Sequence, residues 1–343
     1  RYFVTFAAQL ANEIRSSEQR AAVRAFGADF ENIYRAYGVL LTREASLDEI
    51  ETLMRAFYLY CDERALQLQS ESIFRETLPY LSGRSERLTA HCAVFQAGAL
   101  ERLGRNDEAK ATAEHALESL LRLGMRGETD IASAVLGNIA VTQMRLEDAR
   151  AHYQDALVIR QDNGDAWWIG HSLLNLAAVE FRAGDFDQAR HYTDGALALA
   201  HKIGDHWFTT RCQTALAILL SETGQLDQAR VLHEKNLRAF EESGNQQGMI
   251  EAYNGLGVVD YQSGDFVHAI EWFEESMRLA KLRGDLRSVA ICLSNLGACH
   301  YDLKDYDMAR TTLEEAALIW EKLGTAQNAA MMRQQIADMD AEQ

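Results

Sequence analysis

"RAGDFDQARHY", residues 182–192, is followed forty residues later by "ETGQLDQARVL", residues 222–232. Steps of forty residues in both directions find alanine at six positions, Ala109, Ala149, Ala189, Ala229, Ala269 and Ala309. Glycine fills a second column in the same way, at Gly124, Gly164, Gly204, Gly244, Gly284 and Gly324. Six copies in register without an insertion predict a protein built of stacked repeats that share one continuous core.

Each copy has the residue types of two helices joined by a short turn. Gly184 and its equivalents are suited to end a first helix in a left-handed conformation, and an aspartate such as Asp185 or Asp265 is suited to cap the next helix. The small residues, Ala189 and the Leu176-Ala177 pair with their equivalents, allow two antiparallel helices to approach closely. Because the chain also contains a single proline, Pro79, the sequence predicts an all-α fold.

Composition excludes several classes of partner. The chain carries 51 acidic and 34 basic residues, a net charge of −17, which argues against direct binding to nucleic acid or to an anionic membrane surface. No apolar run approaches the roughly 20 residues of a membrane helix, and no signal peptide is visible. The five cysteines are scattered without a CxxC pair, so we expect reduced thiols and a cytoplasmic location.

The repeats resemble the tetratricopeptide repeat (TPR). "SLLNLAAVEFRAGDFDQARHYTDGALALA", residues 172–200, and "CLSNLGACHYDLKDYDMARTTLEEAALIW", residues 292–320, carry the leucine–small pair, the aromatic residue and the small-residue step of that family. The family's common unit has 34 residues, whereas this one has forty. The resemblance covers about residues 85–335 and implies a right-handed α-solenoid. We expect six such repeats over 85–343, a degenerate helix pair over 43–84 that caps them, and a helical linker over 1–42.

The first forty residues do not fit the repeat. Tyr2, Phe3, Phe6, Ala7 and Leu10 form one helical stripe, and Val23, Phe26, Phe30, Ile33 and Tyr37 are predicted to point inward from a second helix.

"DFENIYRA", residues 29–36, with the helix before it, resembles a junction in STAND-class bacterial signal-transduction NTPases, between their winged-helix module and their repeat sensor. The resemblance implies nucleotide-binding and effector domains, as in transcription regulators, upstream of Arg1, and the chain is interpreted as part of a longer protein.

In the TPR family the first helix of each unit lines a concave wall. Carrying the exposed positions of that helix over to this sequence gives a set of candidate ligand-binding residues. They are Asn138, His171, Asn175, Phe181, Arg182, Arg211, Thr214, Asn254, Tyr261, Asn295 and Tyr301. An asparagine amide there could clamp the backbone of an extended peptide, since it both donates and accepts hydrogen bonds; the alternative is a polar filler between two helices.

Two aromatic residues complete the set of candidate binding residues. Trp167 and Trp207 are in register, as are Trp168 and Phe208 beside them. An indole exposed in a groove would anchor a ligand, and inter-repeat core packing is the alternative, mainly for Trp168 and Phe208.

No Walker-type Gly-x-x-x-x-Gly-Lys-Ser/Thr, His-Glu-x-x-His or Gly-x-Ser-x-Gly motif occurs, and no cofactor or metal site is predicted. Cys292 and Cys299 share a helix face beside His300, but buried packing is the preferred interpretation. His233 occupies a column that is aromatic at Phe273, so it is predicted to pack rather than to bind a metal.

The sequence therefore favours a non-enzymatic sensor that binds a protein, peptide or small-molecule inducer for an NTPase upstream. The alternative is a freestanding scaffold that binds a peptide segment of a partner.

Overall fold

The computed structural model describes residues 2–16, 18–42, 46–64 and 66–342, and these form helices and short turns without any strand. Four helices precede the repeats: α1 Tyr2–Glu13, α2 Gln19–Thr42, α3 Leu47–Glu63 and α4 Gln67–Leu81. The expected boundary between linker and capping pair, at residues 42 and 43, adjoins positions 43–45, which lie outside the described residues. None of the described helices is long and apolar enough to cross a membrane.

Six helix pairs follow, one for each forty-residue copy. They are α5 Glu86–Arg102 with α6 Asn106–Arg122, α7 Asp130–Thr142 with α8 Leu146–Asp162, α9 Ala166–Ala183 with α10 Phe186–Ile203, α11 His206–Glu222 with α12 Leu226–Ser243, α13 Gln246–Gln262 with α14 Phe266–Arg283, and α15 Leu286–Asp302 with α16 Tyr306–Lys322. A 3-10 turn, Arg126–Glu128, precedes α7, and α17, Ala326–Glu342, follows the last pair. The predicted all-α architecture of repeated helix pairs is confirmed.

The chain divides into two compact units, residues 1–209 and 210–343. The first contains α1–α10 and the second contains α12–α17, while the division falls within α11. In both units each helix packs against its neighbours in sequence. This order of packing is that of an α-solenoid, in which every pair covers the apolar face of the one before it.

The turn glycines have the predicted conformation. Gly184 and Gly204 end α9 and α10 with φ values of 81° and 71°, in the left-handed region that favours glycine. Met144 and Lys304 replace glycine in the column of Gly184 and still adopt φ values of 55° and 62°. The turn geometry is therefore imposed by the stacking of the helices, and it is kept where the side chain disfavours it.

The aspartate caps are also confirmed. The side chain of Asp185 accepts a hydrogen bond from the amide of Gln188 at 3.0 Å, and that of Asp265 accepts one from the amide of His268 at 3.3 Å. These caps satisfy backbone donors that have no partner within the helix.

The small-residue columns lie where two helices touch. All six alanines of the anchor column are fully buried. Along the second small column, a Cβ added to Gly137 would lie 2.6 Å from the ring of Tyr153, and one added to Gly257 would lie 2.5 Å from that of Phe273. Where the small residue is Ala177, the position sixteen residues later is the smaller Thr193. At Gly137 and Gly257, in contrast, there is no room for both a methyl group and the ring of the partner residue.

The non-repeat segment forms one of the apolar clusters of the first unit, together with α3–α5. Phe26, Ile33 and Tyr37 are buried as predicted, and they belong to one apolar cluster with Phe57 of α3. Tyr2, in contrast, is 71% exposed, although its ring stacks on that of Phe6. The stripe on α1 therefore buries Ala7 and Leu10 fully, while Phe3 and Phe6 pack half-buried against the same cluster.

Candidate functional site

A polar cleft of about 300 Å³ opens on the first unit, where charged side chains converge from several helices. Most of its wall comes from α3, α5, α7 and α9, the first helices of four successive pairs, together with the 3-10 turn and the end of α8. The lining residues are Arg55, Arg87, His91, Val94, Phe95, Gly127, Glu128, Asp130, Ile131, Arg160, Asn163, Asp165 and Trp168.

One side of the cleft is an ion-pair network around Arg87 of α5. Its guanidinium donates to Glu51 of α3 at 2.8 Å and to Glu128 of the 3-10 turn at 3.0 Å. The ring of His91, one turn further along α5, lies 2.5 Å from a Glu128 oxygen. His91 and Arg87 together hold the pKa of Glu51 down at about 2. The carboxylate of Glu51 is therefore ionised at neutral pH and keeps Arg87 in one orientation.

Arg160 forms the floor of the cleft. Its side chain is 3% exposed, and its Nε donates to Asp130 at 2.9 Å. Its Nη1 donates to the hydroxyl of Ser172 at 2.7 Å, and its guanidinium carbon lies 4.7 Å from the centroid of the Trp168 ring. The arginine thus ties α8 to α7 and α9, and it holds Trp168 at the edge of the cleft.

The rim beside Trp168 is occupied by a residue from the start of the chain. Arg15, in the turn after α1, pairs with the carboxylate of Asp165. Its guanidinium carbon lies 5.2 Å from the centroid of the Trp167 ring and 5.9 Å from that of Trp168. The two indoles stand nearly perpendicular, at 87°, with centroids 4.7 Å apart. We call Trp167, Trp168 and Asp165 the cation cage.

Trp167 is also fixed by contacts with residues outside the cation cage. It is 8% exposed, and its indole Nε1 donates to the buried carboxylate of Asp205 at 3.0 Å. Burial raises the pKa of Asp205. The ring of His171 lies 3.9 Å from that of Trp167. The structure thus brings two predicted site residues, Trp167 and His171, together at the cation cage, with Trp167 covered by Arg15 rather than exposed. Phe208 is fully buried, as the core-packing alternative predicts, while Trp168 and Trp207 are half-buried.

Most of the predicted asparagine amides bind to other side chains. Asn138 donates to Glu101 of α5 at 3.2 Å and accepts from the hydroxyl of Tyr153 at 2.7 Å. In the second unit Asn295 donates to Asn254 at 2.9 Å. These contacts are those of polar fillers between helices. Asn175 differs, because it is half-buried on α9 and its side-chain amide makes no hydrogen bond to any described residue.

The predicted aromatic column packs within its own repeats. The centroid-to-centroid distance is 5.6 Å for Phe181 with Phe186, 5.5 Å for Tyr261 with Phe266, and 5.8 Å for Tyr301 with Tyr306. Each pair joins the end of one helix to the start of the next, so these rings also stabilise the turn.

The remaining candidate residues differ in exposure. Arg182 and Arg211 are exposed, whereas the hydroxyl of Thr214 accepts a hydrogen bond from Asn236 at 3.1 Å. No contact identifies a ligand for any of them, and their binding role stays a prediction.

The cysteines and His233 are buried. Cys292 and Cys299 lie inside the second unit, where burial raises the pKa of both thiols, that of Cys299 to about 12. Among the described residues no group of histidine, cysteine and acidic side chains is arranged to hold a metal ion. His233 is 1% exposed and packs against Gly255, as predicted from its column.

The burial of His233 predicts a pH-dependent stability. Burial lowers its pKa to about 4, while an unfolded chain has a value near 6.5. The unfolded state therefore binds the proton more tightly. The contribution of neutral His233 to the free energy of unfolding is complete above about pH 6.5. It is lost as the pH falls toward 4, which lowers the free energy of unfolding by about 3 kcal/mol.

We expect His233→Phe to remove this part of the acid sensitivity, measured as the free energy of urea unfolding at pH 7 and pH 4.5. Since the Nδ1 of His233 has no hydrogen-bond partner in the described part of the chain, phenylalanine loses no bond there. Equal losses between the two pH values in both proteins would contradict the prediction.

Sequence reasoning missed most of the cleft, although the repeat contained part of the signal. Arg160 stands in a column that is otherwise apolar, with Leu120, Ala200, Phe240, Ala280 and Trp320. His91 and Arg87 lie two repeats before His171 and Trp167, in the same columns. The first repeat could therefore have added them to the candidate binding residues. Arg15 and Arg55 lie outside the repeat, so no column could reveal them.

The fold and its columns define an all-α protein of repeated helix pairs. Sequence models of the tetratricopeptide repeat match residues 96–166, 168–242, 210–282 and 289–323. The chain belongs to the tetratricopeptide-repeat family. Comparison with curated protein sequences finds no match.

Solved structures share the fold at low identity. The Rap conjugation gene regulator of plasmid pLS20, in complex with the Phr* peptide, is 15% identical with a TM-score of 0.64, over 96% of this chain and 97% of its own. NprR in complex with its cognate peptide NprX is 15% identical with a TM-score of 0.64, over 82% of each chain.

A STAND protein with a tetratricopeptide-repeat sensor, PH0952 from Pyrococcus horikoshii, is 18% identical with a TM-score of 0.57. The match covers 94% of this chain and half of that protein. The resemblance to a STAND protein that carries a repeat sensor therefore extends to the structure.

Proposed function

We propose that this chain is a peptide-binding sensor module, and that the cleft on its first unit receives the bound segment. The observation that carries the proposal is the convergence of charged and aromatic side chains from α3, α5, α7 and α9 on one opening. These are the first helices of their pairs, which in the TPR family line the binding face. The pLS20 Rap regulator and NprR, which share the fold, are known in complex with peptides.

The chemistry of the cleft suits a peptide with charged side chains. Arg55 is exposed at the wall and makes no ion pair with the described residues, so it is available to a carboxylate. The other arginines and the carboxylates of the cleft hold one another in fixed orientations, which lowers the entropic cost of binding. Asn175 lies two turns beyond Trp168 on α9, hence on the same face, and its amide can both donate to and accept from a peptide backbone.

Asn175 supplies a direct test. Peptides that bind the chain would first be selected from a displayed library, and their Kd would then be measured by calorimetry for the wild type and for Asn175→Ala. We expect a Kd about 2- to 13-fold higher in the variant, since one hydrogen bond contributes about 0.5–1.5 kcal/mol.

The matched control for Asn175→Ala is Asn328→Ala, because Asn328 is also half-buried, lies on α17, and makes no side-chain hydrogen bond to a described residue. A library without binders, or equal Kd values for the wild type and Asn175→Ala, would contradict the proposed site.

The proposed setting is a larger STAND-type signalling NTPase, in which binding is transmitted through α1 and α2. The "DFENIYRA" junction and the likeness to PH0952 support this setting. The coding sequence upstream of Arg1 tests it, since we expect it to encode a nucleotide-binding domain.

An upstream sequence without a nucleotide-binding domain would leave the second candidate, a freestanding scaffold that binds a segment of a partner. The likeness of the fold to the pLS20 Rap regulator, solved in complex with a peptide, supports that candidate. In both settings we propose a binding role and no catalysis for this chain.

A further inference from the structure

Arg15 occupies the cation cage as a ligand would. Its guanidinium lies against both indoles, and its terminal nitrogen pairs with Asp165. The aromatic faces and the carboxylate are the groups that recognise a guanidinium in protein–ligand sites. The cage itself is built from the repeats, because Asp165 caps α9 and the two tryptophans lie in its first turn.

The internal occupant fits this receptor incompletely. The Nε of Arg15 is buried without a hydrogen-bond partner among the described residues. A buried N–H donor without a hydrogen-bond partner destabilises the contact, and a guanidinium placed so that all its donors are paired would avoid this penalty. Arg15 also sits in the short turn between α1 and α2, so it can leave the cage without the unfolding of either helix.

The cage is continuous with the cleft, because Asp165 and Trp168 line both. A peptide lying in the cleft therefore has access to the place that Arg15 holds. The chain as a whole carries a net charge of −17, which favours encounter with cationic segments.

We propose that Trp167, Trp168 and Asp165 form a receptor for an arginine side chain of the bound peptide, and that Arg15 fills it in the absence of ligand. Binding of the peptide arginine then displaces Arg15 and releases the turn between α1 and α2. This inference rests on the proposed function in taking the cleft as the place of the peptide, and it assigns the side chain that the peptide must carry.

The test uses the 343-residue chain, with N-acetyl-arginine amide as the probe and its neutral isostere, N-acetyl-citrulline amide, as the comparison. Binding is followed by NMR of the Trp167 indole N–H. Since an occupied site lowers the apparent affinity by the fraction that is open, we expect Arg15→Ala to bind the arginine probe at least about ten-fold more tightly than the wild type.

The added variant Asp165→Asn should abolish that gain while asparagine keeps the helix cap. Arg20→Ala is the matched control, because Arg20 is exposed on α2 and makes no ion pair in the part of the chain that the structure describes. It should bind the probe like the wild type. If Arg15→Ala does not fold, Arg15→Gln takes its place, since it keeps most of the side chain and removes the charge.

Equal affinity of Arg15→Ala and the wild type for the arginine probe, or equal binding of the citrulline compound, would overturn the inference. Selection of library peptides is run in parallel. If library peptides bind the wild type but the arginine probe does not bind at the cation cage, this inference alone is refuted. A cation cage that binds the probe in a chain that selects no peptide would refute the proposed function and keep only the arginine-binding part of this inference.

Discussion

Replacement of Asp130 by alanine is expected to lower the free energy of unfolding by about 3–5 kcal/mol, because it leaves the charge of Arg160 buried without its partner. The Asp130 carboxylate lies 2.9 Å from the Nε of Arg160, whose side chain is 3% exposed. The remaining partners of the guanidinium are the Ser172 hydroxyl and the backbone carbonyl of Trp168, which carry no net charge. The measurement is urea unfolding of the purified chain at pH 7, followed by circular dichroism.

Two further variants make the Asp130 result specific. Asp155→Ala removes an exposed aspartate from α8 and should change stability by less than about 0.5 kcal/mol. The double variant Asp130→Ala with Arg160→Met should recover much of the loss, because replacing a whole buried ion pair by apolar groups is often close to neutral. A loss below about 1 kcal/mol for Asp130→Ala would show that Arg160 is not buried as described.

The second large effect is expected at Phe273. Its ring is 1% exposed and lies against Gly257, so Phe273→Ala should cost about 3–5 kcal/mol of unfolding free energy. Gly257→Ala should cost about 1–3 kcal/mol from the opposite side, because its methyl group would lie 2.5 Å from the ring. Both values follow from denaturant unfolding under the conditions used for Asp130.

The chain itself suggests the rescue of the Gly257 variant. Ala177 is paired with Thr193, whose hydroxyl donates to the carbonyl of Ala189 four residues earlier at 2.8 Å. A threonine at position 273 could donate in the same way to the carbonyl of Ala269, which is also four residues earlier. We expect the double variant Gly257→Ala with Phe273→Thr to be more stable, by about 0.5–3 kcal/mol, than the sum of the single changes predicts. Additive losses would contradict the pairing of these two columns.

The repeat made most of the fold predictable. A forty-residue period, glycines at two turn positions and alanines at the contact positions define helix pairs, and the structure has them where the columns stand. The same columns explain which residues cap the helices and why Gly257 faces a ring. These features follow from local chemistry and from contacts between adjacent helices, both of which a sequence period records.

The candidate site was predictable only in part. Trp167 and His171 follow from the columns, and Arg160 could have been found as a charge in an apolar column. The contact of Arg15 with Asp165 joins residues 150 positions apart, and one of them lies in a segment that has no repeat to compare. The hydrogen bond that Asn295 donates to Asn254 depends on the offset between successive helices, which residue types alone do not determine.

The central claim, that the cleft of the first unit holds the bound peptide, is tested most directly by photo-crosslinking. A library-selected peptide carrying a photoreactive group would be bound to the wild-type chain, irradiated, and the adducts located by mass spectrometry. We predict adducts on α5, the 3-10 turn, α7 and α9, around His91, Glu128 and Trp168. Adducts confined to α12–α17, with the cleft residues unmodified, would contradict the account.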